Sequence, residues 1–122
     1  EKMNAVVTFS WEAAPADAAD LPTQMKRHQW AAARLWDGLV GPADDLWREG
    51  ALVLATSNLD AIAASGSGAP RGDVPALAKR VRELATAAGQ AKDQNARAKI
   101  YGELLSTCAG CHVLVRPNPV RP

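Results

Sequence analysis

Leu21, Met25, His28, Ala32, Leu35 and Leu39 recur at steps of 4, 3, 4, 3 and 4 residues. That spacing draws an apolar stripe down one face of an α-helix and predicts a helix over Leu21–Val40. Asp20 suits its N-cap, and Pro22 suits its first turn. One imidazole, His28, sits in the middle of the stripe. Gly41-Pro42 ends this helix and opens a second, expected over about residues 42–64. Asp44 and Asp45 fall in its first turn, where carboxylates favour the positive end of the helix dipole. Leu52, Ala55, Leu59 and Ile62 form its expected core stripe. Residues 65–72, rich in Gly, Ser and Pro, read as a flexible loop.

A third helix is expected to open on Asp73 as N-cap and end near Gly89, with Val74, Leu77, Val81, Leu84 and Ala88 stepping by 3, 4, 3 and 4. Lys79 and Glu83 stand one turn apart and are placed to pair on its surface. A fourth is expected from about Ala91 to Val113, with Tyr101, Leu105, Cys108 and His112 on one face. Pro117, Pro119 and Pro122 stop it. Four amphipathic helices with short connections predict an all-α fold, a four-helix up-down bundle over residues 21–116. Residues 1–20 are expected to form an extended N-terminal arm, and 117–122 a short tail. Within the arm, Val6, Val7, Phe9 and Trp11 suit a strap against the body, whereas the Ala, Pro and Asp of residues 12–20 read as a linker.

Composition narrows the function classes. The 122 residues carry 14 Lys plus Arg against 13 Asp plus Glu, a formal charge of +1. Such balance argues against a nucleic-acid binder, which carries a basic surplus, and against a polybasic membrane anchor. Apolar residues make up 48% and aromatics 5%. That is enough for a core, and together with few β-branched residues it speaks against an all-β fold. No apolar run approaches the roughly 18 residues of a membrane-spanning helix. The first residues carry neither an initiator Met nor a basic start leading into an apolar leader, and the expectation is a processed, exported chain.

The two cysteines lie together in Cys108-Ala109-Gly110-Cys111-His112. This is the attachment pattern of a c-type haem. Two thiols three residues apart each add to one vinyl group of the porphyrin, and the following imidazole becomes the proximal iron ligand. A thioredoxin-like dithiol would call for a βαβ setting. A structural zinc site needs about four ligands, and only His28 or a carboxylate is on hand to complete one. A haem-free zinc or dithiol module is therefore the weaker alternative. For the far side of the iron the candidates are His28 and, one turn earlier, Met25. A Met is content in a dry core, whereas a buried imidazole needs a partner, so His28 is preferred. Trp30, Trp36 and Trp47 read as core or haem-edge packing, and Trp11 as cover from the arm.

With these residues in view, the stretch from about Leu21 to Arg116 resembles the class II c-type cytochromes, the cytochrome c′ and cytochrome c-556 group. Cys108-x-x-Cys111-His112-x-x-x-Arg116 is similar to the pattern in which an Arg follows the haem His by four residues, and Met25-Lys26 is similar to a Met-Lys pair on the distal side in many members. Leu21 stands where such members carry an Arg one turn before the Met, and His28 is not a usual feature. The resemblance implies a four-helix bundle with one covalent haem c near the end of the last helix. It also implies a contact of Arg116 with a propionate or the proximal pocket, attachment outside the cytoplasmic membrane and hence a periplasmic location in a bacterium, redox proteins as partners, and homodimers as a recurrent state. The expected work is one-electron transfer. No acid, base or nucleophile cluster suggests turnover, so an enzyme is not expected. The alternative is a five-coordinate, cytochrome c′-like binder or sensor of NO or CO.

Overall fold

The computed structural model describes residues 12–18, 20–58 and 74–115. They form four helices, α1 (Leu21–Val40), α2 (Asp44–Thr56), α3 (Val74–Gln90) and α4 (Gln94–Val115), with no strand among the described residues. Each helix packs on the next in sequence, and α1 and α4 close the ring along the seam of least contact. The all-α bundle is as expected.

α1 begins as its sequence predicts. Asp20 is extended at φ −78 and ψ 145, and its carboxylate accepts from Thr23 N at 2.9 Å and Thr23 Oγ1 at 2.7 Å. The buried face, however, is not the predicted stripe. Gln24, Trp30, Ala31, Arg34, Leu35 and Gly38 are buried, while Leu21 is exposed and Met25, His28, Ala32 and Leu39 are half-buried. The reason is close packing against α2. A Cβ at Gly38 would collide with the backbone of Trp47, and one at Gly50 would lie 2.9 Å from Ala31 O. Two glycines thus let the helices approach along Ala31, Leu35 and Gly38, and the apolar stripe is turned aside, towards α4.

Two element boundaries differ clearly from expectation, the end of α2 and the start of α4. α2 ends at Thr56, where Ser57 is extended and its hydroxyl donates to Val53 O at 2.7 Å and accepts from Arg27 Nε at 2.9 Å. Leu59, Ile62, residues 65–72 and the Asp73 cap lie outside the described residues. On α2 the core face is Leu46, Trp47, Gly50, Ala51 and Leu54, and Leu52 is 64% exposed. α4 opens three residues later than expected because Asp93 caps it, accepting from Ala96 N at 2.8 Å. α3 keeps most of its predicted stripe, with Val74, Val81, Leu84 and Ala88 buried and Leu77 half-buried. Its surface pair is Arg80 with Glu83 at 3.9 Å.

Residues 12–18 are not a loose linker. They run antiparallel along α1, pinned by side chains that donate to strap carbonyls. Trp30 Nε1 and Arg34 each reach Glu12 O at 2.9 Å, Arg27 reaches Pro15 O at 2.8 Å, and Gln24 Nε2 reaches Ala18 O at 2.8 Å. Ala14 packs against the core beneath. The expected strap residues Val6, Val7, Phe9 and Trp11 lie outside the described residues.

Candidate functional site

The Cys-x-x-Cys-His run occupies the final turns of α4, at the end of the bundle where α1 and α3 begin. Cys108 and Cys111 are free thiols, both half-buried. Burial pushes the Cys108 thiol up from its ordinary value, and the neighbouring Cys111 adds to the effect; burial also raises Cys111. The negative end of the α4 dipole likewise disfavours a thiolate. A redox dithiol needs the opposite setting, a helix N-terminus or a nearby cation that lowers the thiol pKa. His112 follows in the last turn and is exposed, as is Val113 at 77%. Gly110 faces α3: a Cβ there would sit 3.9 Å from Leu77 Cδ1, in ordinary contact.

The predicted α4 face needs correction. Leu104 and Arg97 are the buried positions, Tyr101 and Cys108 are half-buried beside them, and Leu105 is 48% exposed. The four predicted residues therefore straddle the edge of the bundle instead of filling its centre. Trp47 and Trp30 are core side chains, but Trp36 is 53% exposed, with its ring centroid 6.3 Å from that of Tyr101.

Across the seam from α4 lies the displaced stripe of α1. Tyr101 donates to Ala32 O at 3.3 Å, and Gln94 Nε2 donates to Leu39 O at 2.7 Å. Seven residues along α1 thus match seven along α4, antiparallel. Carried one turn towards the motif, the register sets His28 level with Leu105; carried further, it sets Met25 level with Cys108. His28 Nε2 is buried and has no hydrogen-bond partner. Burial pushes its imidazole from the usual 6.5 down to about 4, and proximity to His112 adds to the shift. At neutral pH it is therefore uncharged, which is the metal-binding form of histidine. Met25 on the same side is half-buried. Arg116 lies outside the described residues.

Sequence reasoning missed Gln24, a fully buried side chain one turn before His28. Its Nε2 is bonded to Asp17 and Ala18, but its Oε1 has no partner. Nothing in the periodicity marks it, because a Gln between two stripe positions reads as surface. Among the described residues no three His, Cys, Asp or Glu side chains converge to hold a metal ion. A haem makes no such demand, since its porphyrin supplies four of the iron's ligands and the protein only the axial ones. A groove of about 430 Å³ between α2 and α3, lined by Ala51, Leu52, Ala55 and Gly89 among others, contains none of the motif residues. No described helix is long and apolar enough to cross a membrane.

Compared with family models, curated proteins and solved structures, the chain matches none of them.

The residues present fit a covalently attached haem in three respects. The thiols are paired at one helix end and held protonated. An exposed imidazole follows them at once. A second imidazole, on the helix across the seam, has a buried nitrogen that lacks a partner.

Proposed function

We propose that this chain is a monohaem c-type cytochrome, a one-electron carrier similar to the class II cytochromes. The observation that carries the reading is the placement of the complete attachment motif on the last turns of α4, with the unpartnered Nε2 of His28 on the helix across the seam. Cys108 and Cys111 would tether the porphyrin through thioethers, and the His112 imidazole would hold its iron. When bound, the haem contributes an iron that cycles between two oxidation states. Met25, His28 and Ala32 on α1, across the seam from α4, would line its surroundings. The chain tunes the potential through burial, axial ligand and hydrogen bonding. His28 is uncharged at neutral pH and so adds no positive charge to the site. Redox proteins are the partners and the bacterial periplasm is the compartment, both on the strength of the sequence resemblance.

The test is intact mass under denaturing conditions, on protein exported in a host that matures c-type cytochromes. One haem added to the chain mass is expected, with Cys108→Ser and Cys111→Ser each leaving a single thioether. A bare polypeptide overturns the reading and returns the motif to a dithiol or zinc role.

A further inference from the structure

We propose that His28, through Nε2, is the second axial ligand of the iron, opposite His112, so that the haem is six-coordinate between two imidazoles and closed to small gases. This rests on the haem reading above.

Three observations lead to it. First, His28 belongs to the row of α1 that faces α4. Ala32, one turn on, accepts from Tyr101, Trp36 stands against the Tyr101 ring, and Leu39 accepts from Gln94. Second, His28 Nε2 is buried without a partner. An unmet polar atom in the interior costs about 1–3 kcal/mol, and native structures seldom leave one unexplained. Third, the register leaves His28 and His112 seven residues apart along the seam, roughly 10 Å of axial rise at 1.5 Å per residue. Helical side chains lean towards their own N-terminus. Because α1 and α4 are antiparallel, the two imidazoles lean towards each other and close that offset.

Met25 is the competing donor, since the same register sets it level with Cys108. The difference is chemical. A thioether in a half-buried position leaves no hydrogen-bonding valence unmet, whereas the imidazole nitrogen does. The other way to satisfy His28 is a buried water shared with Gln24 Oε1, the second unpartnered acceptor one turn away.

The experiment uses the mature holoprotein, with covalent haem first confirmed by denaturing mass. Electron paramagnetic resonance and near-infrared magnetic circular dichroism of the unmodified ferric protein are expected to show a low-spin, bis-imidazole iron. The ferrous form is expected to bind carbon monoxide at least tenfold more slowly than the His28→Ala variant. His28→Ala is expected to turn high-spin and to return to low-spin on addition of free imidazole, and Met25→Leu to remain low-spin. A thioether-to-iron charge-transfer band in the unmodified protein, lost in Met25→Leu, assigns the ligand to Met25 and overturns the proposal. A high-spin unmodified protein overturns it too, in favour of a water-bridged His28 and a gas-accessible iron. Both of these results leave the covalent haem reading intact, whereas a chain without haem overturns both. Because the unmodified protein is read directly, a failure of His28→Ala to fold does not remove the test.

Discussion

The two ends of the bundle are built from the same helices, yet they treat polar groups in opposite ways. At the end formed by the α1–α2 and α3–α4 turns, the buried polar atoms have partners. Arg97 is 4% exposed, yet its guanidinium donates to Ala91 O and to the Asp44 carboxylate and lies 5.4 Å from the Trp47 ring centroid. Trp47 Nε1 donates to Ala88 O at 2.7 Å, and Gln94 bridges to Leu39 O. At the motif end, His28 Nε2 and Gln24 Oε1 have no partner, and two thiols stand half-buried. A chain that meets the valences of a buried arginine at one end has the means to do so at the other. The haem proposed above would account for the imbalance at the motif end, whereas the opposite end is complete in its own contacts.

The largest effect is expected from removing the centre of the closed end. Trp47→Ala deletes a fully buried indole and the bond to Ala88, and should lower unfolding free energy by about 3–5 kcal/mol. Urea titration measures it. Haem attachment, scored by mass, should persist wherever the variant remains folded, because the motif lies at the other end of α4.

Acid should separate the two ends in order. In the haem-free chain, His28 has its pKa depressed from 6.5 to about 4. Between those values the unfolded chain binds the extra proton, so this contribution is present above pH 6.5 and is lost as pH falls to about 4. At 1.36 kcal/mol per unit the loss is on the order of 3 kcal/mol. Asp44 is lowered from 3.8, first by the hydrogen bond from Arg97 and then by Arg48 and Lys92 nearby. Its contribution is present above 3.8 and is lost only below it. A stability profile from pH 7 to pH 3 should therefore fall first through the motif end, and His28→Leu should remove the upper step alone. A single fall beginning below pH 4 would contradict the contrast.

The two buried nitrogen side chains should also respond oppositely at neutral pH. His28→Leu in the haem-free chain relieves an unmet polar atom and should stabilise by about 1–2 kcal/mol. Arg97→Met breaks the charge-assisted bonds to Ala91 and Asp44 and should destabilise by about 2 kcal/mol. Equal losses from both would mean that the motif end is as complete as the other. The smallest effect is expected at the cap. Asp20→Ala removes the bonds to Thr23 and should lower the urea midpoint less than any change above.

Much of this was legible in the residues. Helix α1 and its Asp20 cap, the stripe of α3 and the four-helix class followed from local rules, since caps and 3.6-residue periodicity are properties of the chain itself. The Cys-x-x-Cys-His spacing is equally local. What periodicity could not give was the rotation of each helix about its axis. On α1 and α2 that angle was set by Gly38 and Gly50, which admit Trp47 and Ala31 at close range; the density of that contact outweighed the greater apolarity of the neighbouring stripe.

By itself, then, the sequence determined the four helices and the Asp20 cap, and it holds the Cys108-x-x-Cys111-His112 spacing on which the haem proposal rests, because each depends on residues within a turn or two of one another. Tertiary structure alone decided that His28 faces α4 with a buried, partnerless nitrogen, that Gln24 is interior, and that residues 12–18 are held down by Trp30, Arg34 and Arg27. Those facts depend on which helix faces meet, and that is settled by packing between segments distant in the chain.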